Sequence, residues 1–134
     1  MPDTRIASCN CGAVRIEARG QPMRVGLCHC ITCRKAGGAP FTASGIWRRE
    51  DVTIQGDTRS WKDTTVSRHF CPSCGSVLFG ASDGSGEIAI GLGAFDVAPT
   101  DLAPTYELWA GRREKWFEVV TPTEQFPGHR TAVG

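Results

Sequence analysis

All seven cysteines of this 134-residue chain fall into three short clusters, Cys9-x-Cys11, Cys28-x-Cys30-x-x-Cys33 and Cys71-x-x-Cys74. In a C-x-x-C turn the chain doubles back so that both sulfurs can reach one ion, at about 2.3 Å each. Pro72 presets a turn dihedral, and Gly75 can take the left-handed conformation after the second sulfur; Gly12 stands in the same place after Cys11. Cysteines buried merely as small apolar groups would be scattered, whereas here every one sits at chelating distance from another. An odd count also excludes complete internal disulfide pairing. Reduced, metal-binding thiols fit a cytoplasmic protein.

Seven ligands divide most naturally as four plus three. Four thiolates close a tetrahedral zinc and make it structural, whereas three leave one position open, the arrangement of a catalytic zinc. The central cluster can form the open site alone, with three sulfurs in six residues. Cys9, Cys11, Cys71 and Cys74 would then share the closed one. Another partition stays open at this point: Cys30 and Cys33 with Cys71 and Cys74 would make a zinc ribbon and leave Cys9, Cys11 and Cys28 over. Zinc is preferred to an iron–sulfur cluster because the spacings are not those of ferredoxins.

Fifteen Lys and Arg against fourteen Asp and Glu give a formal charge of +1. That balance argues against a nucleic-acid binder, which carries a basic excess or stripe. No stretch approaches the roughly 18 to 20 apolar residues of a membrane span, and the N-terminus has no apolar signal core. The length suits a single domain over residues 1–134, with 121–134 as a C-terminal tail.

The fold is expected to be mainly β. Residues 13–18 place Val14 and Ile16 on one face and Arg15 and Glu17 on the other, and 41–47, 51–54, 66–70, 76–79 and 87–92 are further strand candidates. One short helix is expected after Cys33, stopped by Gly37-Gly38. The four tryptophans, at 47, 61, 109 and 116, are expected to build the core.

S-C-N-C-G (8–12), C-H-C-I-T-C-R-K (28–35), G-A-P-F (38–41) and R-H-F-C-P-S-C-G (68–75) occur in that order, followed by G-A-F-D (93–96) and by Trp109 with Trp116. Over roughly residues 5–120 the chain resembles the glutathione-dependent formaldehyde-activating enzyme family, also called S-(hydroxymethyl)glutathione synthase-like, to which centromere protein V is related. The resemblance implies a β-tent of stacked antiparallel sheets around a structural zinc. It implies that Cys9, Cys11, Cys71 and Cys74 hold that zinc and that Cys28, Cys30 and Cys33 hold a second, labile, catalytic one, two per chain. The activity it implies is that of a carbon–sulfur lyase, joining glutathione and formaldehyde as S-hydroxymethylglutathione. The partners would be a small thiol and a small aldehyde, with neither nucleic acid nor membrane.

Three thiolates on a dication leave a negative site, and Arg34, Lys35 and Arg68 are the nearby cations that could offset it and meet glutathione's carboxylates. Arg34 and Lys35 are the substrate-binding candidates. His29 lies between two ligands and is expected to point away from the metal, with a fourth-ligand or proton-carrying role as the alternative. His69 is expected to be packed and hydrogen-bonded, His129 to have no catalytic role, and Asp96 to cap a turn. Two other readings stand beside the named activity: a zinc-stabilised binding module without chemistry of its own, and a lyase acting on a different thiol adduct. The intact Cys28, Cys30, Cys33 trio favours an enzyme, since a binding module needs only the closed site.

Overall fold

The structure, a computed structural model, describes residues 3–120 and 122–130. Its strands are β1 (Thr4–Ser8), β2 (Arg15–Arg19), β3 (Arg24–Cys28), β4 (Thr42–Arg48), β5 (Val52–Gln55), β6 (Arg59–Lys62), β7 (Val66–Phe70), β8 (Val77–Ser82), β9 (Glu87–Gly91), β10 (Tyr106–Leu108) and β11 (Glu124–Gln125), with one α-helix among the described residues, α1 (Ile31–Gly37), and three single-turn 3-10 helices.

Strict alternation sets the first sheet. In β2, Ile16 and Ala18 are fully buried while Arg15 and Arg19 face solvent. β1 and β5 flank β2 antiparallel, making a three-stranded sheet. The remaining strands form an eight-stranded sheet in the order β11-β10-β3-β4-β9-β8-β7-β6. From β3 to β6 every neighbouring pair is antiparallel, and β10 lies parallel to both β3 and β11. The core joins the two sheets: Ala7, Val14, Ile16, Ala18 and Val52 from the first side meet Trp47, Leu78, Phe79, Ile88 and Ile90 from the second. Each large aliphatic side chain buried there contributes roughly 1.5–3 kcal/mol. Cys9 and Cys71 belong to the same buried cluster. This is the mainly β architecture expected from the strand patterning, with the stacked sheets that the family resemblance implied.

Several local expectations need correcting. α1 runs Ile31–Gly37, so it contains Cys33 instead of following it; Cys30 serves as its N-cap, and Gly38 ends it with its N–H on the Arg34 carbonyl. Of the four tryptophans, Trp47 is 1% exposed, whereas Trp61 and Trp116 are 57% and 68% exposed. Trp61 lies on the edge strand β6, all of whose residues face solvent. The tail expected over 121–134 is in part structured. Thr121 and residues 131–134 lie outside the described residues. Glu124 and Phe126 donate backbone N–H to the carbonyls of Thr105 and Glu107, at 2.9 Å each, and so extend the sheet. Among the described residues no helix is long and apolar enough to cross a membrane.

Gly26 makes the contact between β3 and β10. A methyl there would stand 2.3 Å from the Tyr106 ring, whose residue is its register partner. Gly26→Ala is expected to destabilise the protein by about 1–3 kcal/mol through forced repacking, read as a lower urea midpoint at unchanged slope. An unchanged midpoint would mean the ring is free to move.

Candidate metal centres and their surroundings

Two reversing turns carry the first site. In one, Cys9 N–H donates to the Val14 carbonyl (3.1 Å) and Gly12 N–H to the Cys9 carbonyl (3.0 Å). In the other, Cys71 N–H donates to Ser76 (3.0 Å) and Gly75 N–H to Cys71 (2.8 Å). Gly12 and Gly75 have φ of 81° and 76°, which a side chain would resist. The turns direct amides at the sulfurs: Val14 N–H lies 3.2 Å from Cys9 Sγ and Ser73 N–H 3.4 Å from Cys71 Sγ. Ser76 joins the turns. Its Oγ accepts the Asn10 backbone and side-chain N–H groups at 3.0 and 3.2 Å, which leaves its own proton for Cys74 Sγ at 3.2 Å.

The sulfurs of Cys9, Cys11, Cys71 and Cys74 all lie within 4.8 Å of one another. Cys9–Cys11 and Cys11–Cys71 are 3.6 and 3.7 Å apart. A tetrahedral zinc with bonds of about 2.3 Å requires sulfur–sulfur edges of about 3.8 Å, so the donor set fits that ion. Without a cation, sulfurs this close ionise unevenly. Hydrogen bonds from the side chain and backbone of Ser76 hold the Cys74 thiol down to about 5. Although the Ala13 backbone opposes it, the crowding sulfurs of Cys9 and Cys71 push Cys11 up to about 11.

The second cluster sits where β3 runs into α1. Cys28 ends the strand, Cys30 accepts the Cys33 N–H at 3.2 Å as helix cap, and Cys33 lies buried in the first turn. Their three sulfurs also lie within 4.8 Å of one another, again compatible with zinc. Hydrogen bonds from Cys28, then from Cys30 and Thr42, and the charge of Arg68 hold Cys33 down to about 5 against the effect of burial. Cys28 is pushed far up, by its hydrogen bond to Cys33 and by burial. The structure thus brings Cys9 and Cys11 together with Cys71 and Cys74, and keeps Cys28, Cys30 and Cys33 as a separate trio.

Arg68 on β7 reaches the trio, with Nη1 and Nη2 each 3.7 Å from Cys33 Sγ. In the sheet order β3 and β7 are four spacings apart, about 19 Å if flat at about 4.8 Å per spacing. α1 packs back toward β4, and the long Arg68 side chain meets it from β7. β7 leads directly into Cys71, so one strand serves both clusters.

His29 points into the protein. It is fully buried, and its Nε2 is 2.8 Å from Glu107 Oε1. Glu107, also fully buried, accepts from Gln125 (2.8 Å), Thr123 (3.1 Å) and Arg113 (3.3 Å). Burial pushes this carboxyl up, but the hydrogen bonds from Gln125, His29 and Thr123 and the Arg113 charge prevail and hold it at about 2. An ionised Glu107 accepts only, so His29 donates Nε2–H, and its Nδ1 has no partner among the described residues. The ring packs on Phe41 and Phe117, with centroids 5.7 and 5.8 Å away.

Arg34 lies on α1, but Glu114 holds its Nη2 at 2.7 Å and the Pro40 carbonyl its Nη1 at 3.2 Å. Lys35 is exposed. Both line an open groove of about 510 Å³ with Ile31, Gly38, Ala39 and Pro40. His69 stacks on Phe79 at 4.3 Å and bonds Thr58 at 2.8 Å, and His129 packs edge-on to Trp109. Asp96 accepts from Ser8 Oγ at 2.5 Å, and its N–H bonds the Ile6 carbonyl. Sequence reasoning missed Glu107, Glu114, Phe41 and Phe117. Glu107 stands in the apolar run Tyr106–Trp109, and a charge there is a sign of a buried partner that sequence does not identify.

The chain is similar to a Schizosaccharomyces pombe protein named as an uncharacterized lyase, 28% identical over 73 residues that cover 54% of this chain and 53% of that one. It is similar at 28% identity over 78 residues to a Penicillium rubens protein assigned by name to the glutathione-dependent formaldehyde-activating enzymes, covering 54% and 41%. The chain spans about half the length of the curated relatives it matches. A crystal structure of a Rhodobacter sphaeroides protein has a similar fold, with a TM-score of 0.59 and 22% identity, covering 70% of this chain and 91% of that one. The family profile described as glutathione-dependent formaldehyde-activating enzyme matches residues 4–112, which include all seven cysteines, and the chain belongs to that family.

Proposed function

We propose that the protein is a zinc-dependent lyase-type enzyme that joins glutathione, or a related thiol, to formaldehyde as S-hydroxymethylglutathione and catalyses the reverse. The observation that carries this reading is the separate trio, three sulfurs within 4.8 Å of one another. Zinc held by Cys28, Cys30 and Cys33 would supply an open position of Lewis-acid character for a thiol or an aldehyde oxygen. Cys9, Cys11, Cys71 and Cys74 would hold the structural ion. A free thiol with a pKa near about 8.5 is only a few per cent ionised at neutral pH, so a site that favours the thiolate and fixes it beside the aldehyde gains in both population and proximity. The open surface along α1 places Arg34 and Lys35 beside one another, where they offer charges for glutathione's carboxylates.

The test is exchange spectroscopy at equilibrium, with glutathione and formaldehyde, with and without zinc-loaded protein. Faster interconversion with protein is expected; exchange no faster than in buffer would remove the named activity.

One contact favours a second reading, a lyase for a thiol other than glutathione: Glu114 already occupies Arg34. Glu114→Gln separates the two. If a substrate carboxylate must displace Glu114, freeing Arg34 is expected to lower the glutathione KM about twofold to fivefold, in the range of a partly exposed ion pair, and to leave 2-mercaptoethanol unchanged. Equal KM values for glutathione in variant and parent would favour the other thiol.

A further inference from the structure

The trio has a cation aimed at it. Both terminal nitrogens of Arg68 face Cys33 Sγ at the same 3.7 Å. Asp63 anchors the guanidinium, its Oδ2 3.3 Å from the same Nη2. Asp63 is itself fixed, its Oδ1 accepting the backbone N–H groups of Thr65 (2.9 Å) and Val66 (2.7 Å). Both side chains are one-fifth exposed. The result is an oriented ion pair with its positive end on the sulfur. Of the cations near the trio weighed from the sequence, Arg34 is turned to Glu114 and Lys35 is exposed.

Three thiolates around a dication carry a net charge of −1. A neutral oxygen ligand leaves that charge unchanged, whereas a thiolate raises it to −2. A fixed guanidinium against one of the sulfurs therefore favours the anionic ligand over the neutral one, and N–H groups directed at a ligand sulfur are the usual means by which a protein tunes a metal site.

We propose that Arg68 is the charge-compensating positioning residue of the three-cysteine site, and that it sets the site's preference for an anionic sulfur ligand, so the thiol and not the aldehyde takes the open position. The incoming S–H gives its proton to solvent as the thiolate enters. This rests on the three-cysteine reading above and narrows it to one of the two ligand classes that reading allows.

The test uses the full chain reconstituted with cobalt, titrated with 2-mercaptoethanol as the anionic ligand and imidazole as the neutral one, and followed by the sulfur-to-cobalt charge-transfer band. Arg68→Gln is expected to weaken thiol binding about tenfold or more and to leave imidazole binding unchanged. Arg68→Lys, which keeps the charge, is expected to stay within about threefold of the parent, the loss of the fork being the smaller effect. Arg68→Met, which keeps the aliphatic stem, replaces the glutamine variant if that one does not fold. Parent and neutral variants with equal thiol affinity would overturn the proposal, as would equal weakening toward both ligands, the pattern of a purely structural residue. A parent that binds imidazole but no thiol would overturn the inference and leave an open metal site intact. A parent that binds neither would overturn the functional reading as well.

Discussion

Cys71→Ser is expected to cost the protein its fold. Cys71 is fully buried in the cluster that joins the two sheets, and its sulfur lies 3.7 Å from that of Cys11, sixty residues earlier in the chain. Structural zinc in small domains is worth on the order of 10–16 kcal/mol, as large as or larger than the roughly 5–15 kcal/mol net stability of a typical domain. A serine does not ionise at neutral pH and so does not replace the thiolate. Its hydroxyl, buried without the ion, adds a desolvation cost of about 1–3 kcal/mol. The variant should aggregate or show no cooperative thermal transition, and its zinc content should fall with its structure. A cooperative transition near that of the parent would mean that the four sulfurs are ornamental to stability.

Cys30→Ser should do the reverse, leaving the fold and abolishing the chemistry. Cys30 is half-buried and caps α1 by accepting the Cys33 N–H. Serine is a better N-cap than most residues, so the helix start is preserved. The cap's second task, supplying one of three thiolates, is lost. If the metal contributes several kcal/mol to the transition state, at about 1.4 kcal/mol per tenfold, thiol–aldehyde exchange should fall by roughly 10²-fold or more. The melting temperature should stay within a few degrees of the parent. Similar melting temperatures for Cys30→Ser and Cys71→Ser would contradict the division of labour between the clusters.

The parts of this protein that could be read from sequence are those whose physics is local. Ile16 and Ala18 alternate with charged residues, so β2 was legible to within two residues, and β7 was legible at both ends. Ligand counting suggested four plus three without excluding a zinc ribbon, the family resemblance chose between them, and the sulfur positions display one group of four and one of three. What was not legible depends on remote partners. β10 has three residues and exists because β3 and β11 lie beside it, with Tyr106 filling the space that Gly26 leaves open. β3 was hidden in the approach to the cysteines, where Gly26 interrupts the apolar pattern. The helix began earlier than expected because a cysteine, an unusual N-cap, takes that role. Trp61 looked like core by residue type, yet it lies on the edge strand β6 and is more than half exposed.

The site divides along the same line. Its cysteines were visible, whereas the groups around them come from elements remote in sequence. Arg68 stands three residues before Cys71 in sequence, yet its guanidinium lies on Cys33 of the other cluster. The carboxylate that fixes His29 comes from position 107, and its further donors from 113, 123 and 125. Residues 113–120 and 122–125 follow the segment matched by the family profile. They fasten onto it through Glu114 on Arg34, Phe117 on His29 and Gln125 on Glu107.

Cysteine labelling after mild chelation tests the central claim most directly, because bare exposure and metal protection give opposite orders. Cys11 and Cys74 are exposed, while Cys33 is buried. If one closed and one open zinc site exist, zinc-loaded protein should hold two equivalents. A weak chelator should then remove one of them, and an alkylating reagent should mark Cys28, Cys30 and Cys33 while sparing Cys9, Cys11, Cys71 and Cys74. Early labelling of Cys11 and Cys74, or a single zinc per chain after full reconstitution, would contradict the account.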